Sequence, residues 1–153
     1  MLSAIMTAAT LNFNPFQAFN YWVEIEGLLV FGFSEVSGLE VNIETSDHRE
    51  GGVNHYVHQF PGQVTYSNIV LKKGLTPFDF MWEWCYDTTQ GIIKRKNGTI
   101  MLMNEFNLPV MSWNFHNAFP AKWTGPQFDA SQSSIAFESL ELVHEGISRP
   151  WFL

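Results

Sequence analysis

From Phe19 to Glu26 the apolar residues Phe19, Tyr21, Val23 and Ile25 alternate with Asn20, Trp22, Glu24 and Glu26. This period of two predicts a strand with one buried face, ended by Gly27. A nearly continuous apolar run from Leu28 to Phe33 predicts a second strand. After a turn at Ser37-Gly38, Leu39, Val41 and Ile43 alternate with Glu40, Asn42 and Glu44 as a third. From Thr45 to Gly62 the alternation is lost, and these 18 residues read as a loop longer than ordinary connections, opened by Ser46-Asp47-His48-Arg49-Glu50-Gly51-Gly52. Loops of that length in compact domains carry function or pack against something. Gly51 and Gly52 are read as positions that need permissive backbone angles.

Val64 to Leu71 predicts a fourth strand, ended by Lys72-Lys73-Gly74. Thr76-Pro77 then reads as a helix cap followed by proline at the first helical position. Phe78, Met81, Trp82, Cys85 and Thr89 recur at helical spacing, Asp79 complements the positive end of the dipole, and Gly91 stops the helix. Asn97-Gly98 predicts a hairpin turn. Ile100 and Leu102, then Met111, Trp113 and Phe115, predict a meander beyond it, and Phe119 to Pro126 a turn-rich connection. Ile135 and Phe137 share one phase and Leu140 and Leu142 the other, which predicts a bulge near Glu138-Ser139. The fold class is therefore mainly β with one helix, a barrel or sandwich without internal repeats.

Composition narrows the function. With 153 residues, 46% hydrophobic and 15% charged, the chain suits one folded domain and not a disordered one. A net charge of −7 disfavours nucleic acid as a partner. An aromatic fraction of 16%, with 14 Phe and 6 Trp, is a large load for one small core, and some of those rings are expected to meet another protein. Cys85 is the single cysteine, so neither an internal disulfide nor a cysteine zinc site forms. The start, MLSAIMTAATLNFNP, lacks Lys and Arg and is interrupted by Asn12 and Asn14. Residues 1–14 are read as an arm, neither signal peptide nor membrane anchor, and 15–153 as the domain.

The candidate chemistry is sparse. His48, His55 and His58 lie in the long segment without a completing carboxylate or thiol, so they read as hydrogen-bonding loop residues and not as metal ligands. Glu24 and Glu26, two apart on a strand, share its polar face. No serine sits in a Gly-x-Ser-x-Gly elbow, no glycine-rich phosphate cradle occurs, and Cys85 falls on the helix's apolar side. The sequon Asn97-Gly98-Thr99 reads as a turn. Hence no catalytic, cofactor or metal residue is assigned, and an enzyme ranks last. One asymmetry survives: residues 1–48 hold six carboxylates and no Lys or Arg, whereas five of the eight basic residues are Lys72, Lys73, Lys94, Arg95 and Lys96. Glu24, Glu26, Glu40 and Glu44 on one side and those five on the other suit a head-to-tail contact between identical copies.

The order of phrases along the chain completes the reading. Phe19-Asn-Tyr-Trp-Val-Glu-Ile-Glu-Gly27, Gly32-Phe-Ser-Glu-Val-Ser-Gly-Leu-Glu40 and His48-Arg-Glu-Gly-Gly52 come first. They are followed by Phe60-Pro-Gly62, Ile69-Val-Leu-Lys-Lys-Gly-Leu75, Arg95-Lys-Asn-Gly98, Trp113-Asn-Phe-His-Asn-Ala118, Trp123-Thr-Gly-Pro126 and Glu138-Ser-Leu-Glu-Leu-Val-His-Glu-Gly146. Over roughly residues 15–149 this series resembles the tail-tube proteins of contractile-tailed phages and phage-derived contractile injection systems, the antifeeding-prophage type included.

The resemblance implies strands that join neighbouring subunits, a helix outside them, and hexameric rings stacked into a hollow tube that a contracting sheath drives forward, with cargo in the lumen. It implies as partners other copies of the chain, a sheath protein, and baseplate, initiator and terminator proteins, with synthesis in the cytoplasm before incorporation into a particle. It also carries an inter-subunit role onto the segment 45–62, and there onto Arg49, Glu50, Gly51, Gly52, Val53, Asn54, His55 and Tyr56. A tube-initiator or baseplate-adaptor paralogue is the alternative within that class. A small-ligand-binding β-barrel is the alternative outside it.

Overall fold

The computed structural model describes residues 20–49, 51, 52, 55–77, 80–128, 131 and 135–150. The arm 1–14, Phe19, Glu50, Val53, Asn54, Phe78 and Asp79 lie outside these residues. Among the described residues the elements follow in the order β1 (Asn20–Ile25), β2 (Leu28–Ser37), β3 (Val41–His48), β4 (His58–Tyr66), β5 (Ile69–Gly74), α1 (Phe80–Thr89), β6 (Lys96–Met103), β7 (Pro109–Thr124), β8 (Phe137–Val143) and β9 (Gly146–Ser148).

The main sheet runs β6-β1-β2-β5-β8-β7-β9, all antiparallel, and β6 pairs in turn with β7. That last pairing closes six strands into a barrel, while β9 continues along β7 beyond β8. Closure pairs these strands with one another inside the protomer. Among the described residues the strand edges without a partner include both outer edges of the β3–β4 hairpin, Leu28–Gly32 on the side of β2 away from β1, and Pro109–Trp113 on the side of β7 away from β6.

Alternation supplies the barrel core. Val23 and Ile25 of β1, Phe33 of β2, Ile69 and Leu71 of β5, Ile100 of β6, Phe115 of β7, and Leu140 and Leu142 of β8 form one buried cluster. Helix α1 lays Met81 and Trp84 into it, and the Trp84 indole donates to the Lys94 carbonyl at 3.0 Å, tying the chain that leaves the helix. Each such side chain contributes roughly 1.5–3 kcal/mol on burial. The helix ends in a Schellman turn, with Ile92 N donating to Asp87 O and Gly91 N to Thr88 O, and Gly91 at φ +82° in the left-handed region that this turn needs.

Several elements depart from the sequence reading. Beyond its boundary Thr45 to Gly62 is no loop: β3 and β4 pair from Val41↔Tyr66 to His48↔His58, leaving only the tip between them. The expected strand Val64–Leu71 is two strands broken at Ser67-Asn68, where the chain passes from hairpin to barrel. Phe119 to Thr124 belongs to β7, with a register shift between Pro120 and Lys122. Beyond Ala118, β7 has a strand partner on one side only, which is where a strand tolerates proline. Conversely, β8 has no bulge against β5, because Glu138 takes the buried phase of Leu140 and Leu142.

Asn97-Gly98 is not a turn either; both residues lie inside β6, and the hairpin turns are at Glu26-Gly27 and at 104–108. The glycine at 98 answers to crowding. A Cβ there would overlap the Phe115 ring and lie 2.8 Å from the Glu24 carbonyl oxygen. Gly98→Ala is therefore expected to destabilise the protomer by about 1–3 kcal/mol, as overpacked sites do, which urea unfolding would measure.

Candidate assembly interface

The β3–β4 hairpin stands off the barrel with every residue of β3 exposed and all of β4 exposed except its two ends. Its root is fixed by polar contacts. The Ser67 hydroxyl donates to Glu40 Oε2 at 2.8 Å, Asn68 Nδ2 donates to Glu141 Oε1 at 2.9 Å, and His144 Nε2 lies 2.8 Å from the Ser67 carbonyl. A carbonyl only accepts, so Nε2 carries the proton. The Tyr66 ring lies 5.7 Å from that imidazole.

Beyond the root the hairpin carries apolar groups that the described residues leave about half exposed: Val41 is 54% exposed, Ile43 55% and Val64 46%. Near the tip Tyr56 is 60% exposed and Phe60 49%. Two-stranded hairpins are marginal in water, and their outer edges present unpaired N–H and C=O groups to any strand that meets them. Of the residues assigned to an interface, Arg49, Gly51, Gly52, His55 and Tyr56 sit at or beside this tip. Gly52 has φ +90°, whereas Gly51 has neither a left-handed φ nor a nearby atom that a Cβ would meet. Gly52→Val is expected to weaken each tip contact by about 1–2 kcal/mol through backbone strain, with Gly51→Val milder. Native mass spectrometry of ring formation against concentration measures both.

The basic residues fall into different settings. Lys73 points into the barrel and its ammonium lies 2.9 Å from Glu138 Oε1, so it is not available to another copy. Lys72 and Lys73 lie in β5 and Lys96 at the start of β6. The Lys72 ammonium sits over the Phe137 ring at 5.0 Å, and Lys96 lies over Phe80 and Trp84. Lys94 is 3.9 Å from Asp87, and Arg95 3.3 Å from Glu145. Of the acidic set, Glu26 accepts from the Asn97 amide and Glu40 from Ser67, while Glu24 and Glu44 are exposed on β1 and β3.

The described residues hold no group of three or more His, Cys, Asp or Glu placed to bind a metal. His48 and His58 are cross-strand partners and pack near Phe60, at 5.8 and 6.4 Å between ring centroids. The barrel interior is filled by its own side chains. A surface concavity of about 440 Å³ lies over Glu24, Glu26, Asn97, Thr99, Asn114 and His116, outside the barrel and polar. Burial pushes the Cys85 thiol above its usual range, which makes it a poor nucleophile.

Sequence reasoning missed the apolar members of this surface. Val41, Ile43 and Val64 read as core-facing strand residues, and on the helix Trp82 and Tyr86 are exposed, with Trp82 against Trp123 at 4.8 Å. An apolar alternation looks the same whether the protomer or a partner covers it.

Comparison with known proteins agrees with this architecture. The family model for T4-like virus tail tube protein gp19 matches residues 17–148. A chain of the PVC sheath-tube complex of an extracellular contractile injection system, in its extended state, is 29% identical with a TM-score of 0.81, over 94% of this chain and 97% of that one. A chain of the anti-feeding prophage tube-terminating cap is 31% identical with a TM-score of 0.75, over 90% and 91%. Hcp1 from Flavobacterium johnsoniae, 16% identical with a TM-score of 0.56 over 86% and 94%, shares the fold. No curated protein sequence matches the chain. A family match across the barrel and the hairpin alike, joined to a protomer whose uncovered strands face outward, places the chain in the T4-like virus tail tube protein gp19 family.

Proposed function

We propose that the chain is the repeating subunit of the inner tube of a contractile injection system or phage tail. It forms hexameric rings that stack around a hollow bore and conduct cargo when a sheath contracts. The observation that carries this reading is the β3–β4 hairpin: two free strand edges and a set of uncovered apolar residues on an arm that adds nothing to the protomer's own core. A ring needs a heterologous contact, one patch meeting a different patch, and the hairpin edges on one side with the free stretches of β2 and β7 on the other supply that asymmetry. Residues 49–56 are the part of the hairpin that reaches the neighbour. Between stacked rings, Glu24 and Glu44 facing Lys72, Lys94, Arg95 and Lys96 provide complementary charge.

The role is structural, without catalysis. Sheath, baseplate and terminator proteins are the partners, in keeping with the sheath-tube, baseplate and cap assemblies from which similar chains come. No helix among the described residues is long and apolar enough to cross a membrane, and assembly is proposed to begin in the cytoplasm. Electron microscopy of the purified protein at rising concentration tests the reading. Rings and stacks are the expected result, and monomers that persist with sheath and baseplate components present overturn it. The similarity to a tube-terminating cap chain favours an end-of-tube paralogue as the second reading. Many copies per intact particle support the tube subunit, and about six support the paralogue.

A further inference from the structure

Two short connections join the β3–β4 hairpin to the barrel, 38–40 from β2 and 67–68 into β5. They cross in contact. Gly38 has φ +87°, and a Cβ there would overlap the Asn68 carbonyl, so the two backbones pass where no side chain fits between them. Leu39 packs against the core and Asn68 Nδ2 donates to Glu141 Oε1 at 2.9 Å, which fixes this crossing on the barrel. Immediately outside it, the Ser67 hydroxyl donates to Glu40 Oε2 at 2.8 Å and links one connection to the other. Beyond that point β3 and β4 pair with each other and with no barrel strand. One bulge sets Glu44 against Gly62 and Gln63, and the pairing resumes past it as far as His48↔His58. The hairpin is therefore a single arm on a narrow base.

The contacts that hold the arm at its angle centre on His144, which follows β8. Its Nε2 donates to the Ser67 carbonyl at 2.8 Å, and the ring of Tyr66, the last residue of β4, lies 5.7 Å from the imidazole. That ring also lies over Gly146, 3.7 Å from where a Cβ would stand. His144 is 9% exposed, so its hydrogen bond is shielded from competing water. The same burial works against it. Nδ1 is buried and finds no hydrogen-bond partner, and an unpartnered ring nitrogen is stabilised wherever water reaches it. One imidazole thus supplies both a contact that holds the arm and a group that favours letting it go.

We infer that His144 is the latch of a hinge: the hairpin swings as a rigid arm on Glu40 and Ser67, between its present position and one in which Ser67 and Tyr66 have left the imidazole. Hinges concentrate their backbone change in a few residues at element ends, and these two stand between a base anchored by Leu39 and Asn68 and a ribbon held by its own pairing. Little apolar burial opposes the movement, because no residue of β3 or β4 belongs to the core cluster. From Val41 to His48 the arm reaches about 23 Å, so a turn of about 20° at the root carries its tip about 8 Å. The latch is a property of the protomer and holds whether or not the chain builds a tube.

Spin labels read the angle directly. Gln59→Cys on the arm and Glu24→Cys on the barrel, both at exposed positions, are labelled in a Cys85→Ser background, and the distance between them is measured by pulsed electron resonance in monomers isolated at low concentration. This parent is expected to give one dominant distance. His144→Phe keeps a ring beside Tyr66 but lacks the donor and leaves the Ser67 carbonyl unpaired. It is expected to raise a second, shifted distance about tenfold in population, the effect of one shielded hydrogen bond, while circular dichroism of the barrel stays as in the parent. His144→Gln restores a donor and is expected to return the distribution toward the parent's. Tyr66→Ala removes the ring contact from outside the core and gives the same reading should His144→Phe not fold. The parent's single distance in His144→Phe or in Tyr66→Ala overturns the latch. A parent distribution already as broad as theirs overturns it too.

Discussion

Lys73→Met is expected to destabilise the protomer by about 3–5 kcal/mol, the usual consequence of removing one member of a buried ion pair. Lys73 and Glu138 are cross-strand partners in β5 and β8, in phase with Leu71 and Leu140, so both side chains enter the barrel. Their side chains are 4% and 0% exposed, and Nζ to Oε1 is 2.9 Å. The second carboxylate oxygen accepts from the Trp123 indole at 3.0 Å, and the ammonium also points at the Gly74 carbonyl and the Thr76 hydroxyl. Methionine fills the volume of the lysine stem but leaves a charged carboxylate facing it in an apolar interior. For a chain of this size the loss corresponds to a fall in Tm of roughly 10 °C.

The double variant Lys73→Met with Glu138→Leu removes both charges and is expected to recover most of that loss. It falls short by about 1 kcal/mol for the indole N–H left without its acceptor. Chemical denaturation of the single and double variants gives the coupling directly. A Lys73→Met protein as stable as wild type would show that the pair is not desolvated as the geometry says.

How much of this was legible in the sequence follows from what each segment packs against. β1 and the helix were readable because they turn apolar residues to the protomer's own core, as Val23, Ile25, Met81 and Trp84 do. Glu138 broke the reading of β8: a carboxylate in a core phase looks like a slip in alternation unless its partner Lys73 is known, and the two are 65 positions apart in the chain. Asn97-Gly98 carried a strong turn signal for a reason that has nothing to do with a turn, the pressure of Phe115 on the glycine. The hairpin was the least legible, since a strand exposed on both faces has no buried stripe to set its period, and the bulge at Gly62-Gln63 reverses what pattern there is. The family resemblance did not depend on any of these assignments, because it rested on phrases and their order along the whole domain.

Excising the hairpin is expected to abolish assembly while sparing the fold. Val41 and Tyr66 are directly opposite, so a two-residue Asn-Gly loop in place of residues 42–65 closes the chain at that pair with a turn suited to the twist of the strands. No residue removed belongs to the barrel core. What the protomer loses is the Ser67–Asn42 contact and the strand pairing within the hairpin, while Glu40, Ser67, Asn68 and His144 keep the root in place. Its Tm is therefore expected to stay within a few degrees of wild type. Rings and stacks are expected to be absent at every concentration at which wild type forms them, because the arm's uncovered apolar residues and its two free edges go together. A shortened protein that still builds tubes would move the contact to the free stretches of β2 and β7. The hairpin would then be left with a cluster of exposed valine, isoleucine and aromatic side chains that no copy covers, a state that soluble surfaces of this size avoid.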